Sequence, residues 1–219
     1  YRIPFVVRSG ERFTVGSAGS IFEDIDECRK TDYSYDSVRR LVLDGRVPWK
    51  NKALNESLVR EGNRLHCICN YGEKDVWLEA LGKSGKSERE LELYKRLKKS
   101  IEAVTGAKSF EGLRTAWLIF KNEFLSDDEF SIEANNILGR CIAELETLVA
   151  IEKDYIVPLD LKLRSPFSFF INELRSKTYR PQDTLSGVSV FDYKVAACAA
   201  YPVNIVINCT QDALTVVRK

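Results

Sequence analysis

Methionine is absent from all 219 residues, and histidine occurs once. A single histidine excludes, within one chain, zinc fingers with paired Cys and paired His, three-histidine zinc sites, His-Glu-x-x-His metalloproteases and two-histidine iron centres. No two cysteines are spaced Cys-x-x-Cys, which removes zinc knuckles and thioredoxin-type motifs. Neither charge sign is in excess, since 33 Lys+Arg face 32 Asp+Glu for a formal net charge of +1. A chain so balanced has no global pull toward nucleic acid or anionic lipid, and such binding would have to come from a local patch. No apolar run reaches the ~20 residues of a membrane span. Tyr1-Arg2-Ile3-Pro4-Phe5 is not a charged segment followed by an apolar one, so no signal peptide is read there. The missing initiator leads to the expectation that the chain is excised or processed from a longer protein.

What is present fits a folded chain. The hydrophobic fraction is 44% and the charged fraction 30%, values typical of globular proteins. The six cysteines at 28, 67, 69, 141, 198 and 209 are expected mainly as buried small hydrophobes. This favours an intracellular compartment. The even cysteine count and the Asn-x-Ser/Thr sequons at Asn55 and Asn208 leave secretion open.

Residues 1–18 read as a β-hairpin around Ser9-Gly10-Glu11-Arg12, followed by short helices at 20–30 and 37–43. Arg64–Asn70 and Val76–Leu81 read as paired strands. Residues 87–154 read as helical almost throughout. Phe110, Leu113, Trp117, Phe120 and Phe124 form one apolar stripe, and Ala134, Leu138, Cys141, Leu145 and Leu148 form another. Two such stripes predict an antiparallel helical hairpin. Tyr155–Leu163 reads as a strand, Pro166 opens a helix to about Lys177, and Gly187–Lys219 reads as strand-rich. The predicted class is therefore α+β: a single domain over 1–219, with strand-containing ends around a central helical hairpin.

Several constellations bear on chemistry. Gly85-Lys86-Ser87 resembles the end of a Walker A loop, but Ala80 stands where its first glycine belongs. On a strand, Asp160 and Lys162 share a face. The pair resembles the acid-x-Lys half of the PD-(D/E)xK nucleases, which implies a carboxylate holding Mg2+ or Mn2+ and a Lys steadying the phosphorane. Glu79, Glu144 and Glu146 are the carboxylates that could complete such a site. Tyr35–Pro48 resembles the recognition-helix segment of excisionase-like winged helices, with Arg39, Arg40 and Arg46 as nucleic-acid contacts. The alternative is that these arginines are solvated or pair with Asp24, Asp26 and Glu27. Lys95, Arg96, Lys98 and Lys99 form a second basic run, either a phosphate-contacting face or the basic end of an acid-first helix. His66 alternates with Cys67 and Cys69 on a strand, so it would face away from both thiols.

No catalytic constellation is complete. The function expected from the residues is a non-catalytic binding or scaffolding module of a larger protein, with a protein partner, no resident metal or cofactor and no membrane contact. A metal-dependent nuclease or phosphodiesterase built on Asp160 and Lys162 is the first alternative, and a nucleic-acid-binding module the second.

Overall fold

Ser34, Asn51, Asp75, Ser109 and Ser165 each accept a hydrogen bond from the backbone N–H three residues on, and each starts a helix. Such caps satisfy donors that the first helical turn otherwise leaves unpaired. The computed structural model describes residues 5–7, 11–70, 74–85, 87–127, 132–159, 163–179, 188–191, 203 and 205–207. Eight α-helices occur among them: α1 (Ser20–Lys30), α2 (Tyr35–Val42), α3 (Lys52–Arg64), α4 (Val76–Ser84), α5 (Glu88–Thr105), α6 (Phe110–Phe124), α7 (Ile132–Ile151) and α8 (Pro166–Ser176). A π-helical turn, Glu152–Ile156, continues α7. Strands are short: β1 (Phe5–Val7), β2 (Glu11–Arg12), β3 (Thr178–Tyr179) and β4 (Val188–Val190).

The α+β class is therefore corrected to a mostly helical fold. Residues 12–178 form one unit, and residues 1–11 with 179–219 form another. In the second unit β1 pairs with β4 in parallel, Phe5 opposite Val188 and Val7 opposite Val190. Among the described residues the expected N-terminal hairpin does not form, because β1 finds its partner far along the chain and Phe13–Val15 is turn and bend.

The helical unit is organised on α5, which packs against α1, α3, α4, α6 and α8. Leu93, Tyr94, Leu97, Ile101 and Val104 supply its buried face. Phe22 of α1, Trp117 of α6 and Phe170 of α8 meet in one aromatic cluster, with Phe22 4.4 Å from Trp117 and 5.1 Å from Phe170 between centroids. Tyr35, Trp77 and Tyr94 form a second cluster joining α2, α4 and α5. The expected packing of α6 on α7 is present, and Leu113, Trp117, Phe120 and Phe124 of the one and Leu138, Cys141, Leu145 and Leu148 of the other are buried, while Ala134 is half-buried.

Two further strand readings fail for local reasons. Val76–Leu81 lies in α4, where Asp75 caps the start and Gly85 closes the end at φ 59°. Its buried residues, Trp77 and Leu81, are four apart, which is helical spacing. Tyr155–Leu163 begins in the π-helical turn and continues as turn through Leu159. Val203 and residues 205–207 are not in a strand, and residues 214–217 lie outside the described residues.

Candidate functional site

Arg39, Arg40 and Arg46 converge. They line a groove of about 570 Å³ built from the last turn of α1, the outer face of α2 and the loop after it, together with Glu27, Ser34, Asp36 and Asp44. Ser34 starts α2, so Arg39 and Arg40 fall on its outer face while Val38, Leu41 and Val42 point into the core. Thr31, Ser34 and Ser37 form a hydroxyl network at this edge, with oxygens 2.9–3.2 Å apart.

The arginines differ in their freedom. Arg40 donates Nε to Asp24 at 2.6 Å, and Asp24 itself is 6% exposed. Arg46 grips Asp44 with Nε and Nη2, both at 2.8 Å. Arg39 is exposed and pairs with no carboxylate among the described residues. Burial raises the Asp24 carboxyl above its ordinary value despite the Arg40 guanidinium, and the nearby Asp44 adds to the rise. Burial also pushes Asp44 upward, but hydrogen bonds from the Arg46 side chain and backbone and from Ser20 outweigh it, so that group ends below its ordinary value.

These opposite shifts fix opposite pH signs. The stabilisation from Asp44 is present above its unfolded pKa and lost as pH falls through the folded one. Asp24 contributes most below its unfolded pKa, and that contribution is lost as pH rises through its folded pKa. Asp24→Asn is therefore expected to melt at least as high as the wild type at pH 7. The difference should shrink as the buffer is taken toward pH 4, and differential scanning fluorimetry across that range reads it.

The second basic run is largely engaged. Lys95 pairs with Glu92 at 2.8 Å, Arg96 with Glu123 at 3.3 Å and Lys98 with Asp75 at 2.6 Å. Lys98 also lies 5.1 Å from the centre of the Tyr33 ring. Lys99 is exposed, with no ion pair among the described residues.

Asp160 and Lys162 lie outside the described residues. The carboxylates expected to assist them are separately occupied: Glu79 pairs with Lys83, Glu144 with Lys177 and Glu146 with Arg114. No group of three or more His, Cys, Asp or Glu side chains placed to hold a metal occurs among the described residues. Of the Gly85-Lys86-Ser87 segment, Gly85 closes α4, Lys86 lies outside the described residues, and the buried Ser87 hydroxyl donates to Glu61 at 2.9 Å. Burial raises the Cys28 and Cys141 thiols to about 12 and Cys67 to about 11, so all three are protonated at neutral pH.

One feature was hidden by the strand reading of Tyr155–Leu163. Ile151, Tyr155, Val157 and Leu159 are 43–69% exposed. They run from the last residue of α7 through the π-helical turn into the turn after it, with the exposed Lys153 and Asp154 among them. Glu152, in the same segment, points the other way: it is 7% exposed, and its carboxylate accepts hydrogen bonds from the backbone N–H groups of Phe110 and Glu111, each at 3.0 Å. No hydrophobic period in the sequence marks the segment, because Val157 and Leu159 do not continue the four-residue spacing of Ile151 and Tyr155.

Residues 14–180 match the family described as the Treponema TP0900 fourth helical domain. The chain belongs to that family. The matched span includes all eight helices, the charged groove and the apolar segment at the end of α7. A TP0900 fourth helical domain is helical by its description, in agreement with the corrected fold class. The chain is also 25% identical, over 242 aligned residues, to an uncharacterized protein of Treponema pallidum (strain Nichols). That alignment covers 96% of this chain and 30% of the relative, so the chain spans less than a third of the length of the protein it resembles. No solved structure matches. Among the described residues of this family member, no helix is long and apolar enough to cross a membrane.

Proposed function

We propose that this helical domain is a non-catalytic protein-binding module, and that its contact surface includes Ile151, Tyr155, Val157 and Leu159. The observation that carries the reading is the exposure of these four large apolar side chains on one short segment of the helical unit. Single exposed apolar residues are ordinary, but a cluster with a polar rim marks an interaction surface. Tyr155 suits such a role because its ring supplies apolar area while its hydroxyl stays able to hydrogen-bond. The flanking Lys153 and Asp154 carry opposite charges, which favours a protein partner over an anionic lipid surface. The greater length of the Treponema pallidum relative supports reading the domain as one module of a larger protein.

The test is site-specific photo-crosslinking in cells. A photoreactive residue at Tyr155 or Val157 should yield a discrete adduct with one protein, whereas the same residue at the exposed Lys99 should not. Tyr155→Glu should abolish the adduct formed from position 157 while changing stability by no more than about 0.5 kcal/mol, as expected for an exposed position. Absence of a discrete adduct from both positions, or equal labelling from Lys99, would sink the proposal.

A further inference from the structure

We draw no further inference here: the strongest candidate, the charged groove between α1 and α2, sets Glu27, Asp36 and Asp44 against Arg39, Arg40 and Arg46, so its lining selects no class of ligand and nothing in the structure shows what fills it.

Discussion

Trp77→Ala is expected to lower the free energy of unfolding by about 3–5 kcal/mol, the range for truncating a buried aromatic. Trp77 has no exposed surface, and its indole Nε1 donates to the Tyr33 carbonyl at 2.9 Å. Its ring is nearly parallel to Tyr94 at 5.3 Å and to Tyr35 at 6.2 Å, so it is held from two sides. On a further side α3 approaches so closely that a Cβ at Gly62 would lie 2.4 Å from the Trp77 ring. Trp77 thus joins α2, α3, α4 and α5. Gly62→Ala tests the same contact from its opposite partner. Alanine favours a helix interior by roughly 1 kcal/mol over glycine. Here that gain should be offset, because the ring cannot retreat without breaking its hydrogen bond and its stacking. Equilibrium denaturation reads both variants. If Gly62→Ala proves more stable than the wild type, the packing around Trp77 is looser than described.

This part of the core shows why the sequence was only partly legible. Val76-Trp77-Leu78 and Ala80-Leu81 form a short apolar run, and such runs fit a strand or a buried helix equally well. The deciding features are the Asp75 cap and the four-residue spacing of Trp77 and Leu81, both visible in the sequence but outweighed by the alternation of His66-Cys67-Ile68-Cys69 before them. That alternation does not mark a strand. His66 takes a positive φ of 55°, and the Cys67 N–H returns to the Gly62 carbonyl, so α3 ends there without a glycine. By contrast α6 was legible throughout, because Ser109 caps it and its stripe repeats over four turns.

The site was legible to a similar degree. Clustering of Arg39, Arg40 and Arg46 follows from their closeness in sequence, and the pairing of Arg40 with Asp24 was one of the expected alternatives. Arg46 chose Asp44, two residues away, over the expected acids of α1. The apolar segment at the end of α7 was not found. A π-helical turn followed by irregular chain has no hydrophobic period to recognise, and its exposed apolar residues look in sequence like those of a half-buried strand.

Glu152→Ala is the second substitution expected to have a large effect, at about 1–3 kcal/mol, the penalty for leaving buried polar groups without partners. The first four N–H groups of a helix have no partner within it. In α6 three of them are accounted for: Phe110 and Glu111 donate to the Glu152 carboxylate and Gly112 to the Ser109 hydroxyl, after which the Leu113 N–H makes the first helical bond, to the Ser109 carbonyl. Ser109 provides part of the cap locally, and the π-helical turn after α7 returns some forty residues later to supply the rest. A carboxylate at this place also faces the positive end of the helix dipole. Glu152→Gln should fall between the wild type and alanine. Its carbonyl can accept one of the two bonds, but its amide group turns a donor toward the other. Hydrogen exchange separates this account from a general packing loss, because protection should fall first at Phe110 and Glu111 while the Leu97 and Ile101 amides of α5 keep theirs. Glu146→Ala serves as the control, since Glu146 makes a half-exposed pair with Arg114 and such pairs contribute about 0–1 kcal/mol. If Glu152→Ala is no more costly than Glu146→Ala, and the Phe110 and Glu111 amides stay protected, the carboxylate does not hold the start of α6.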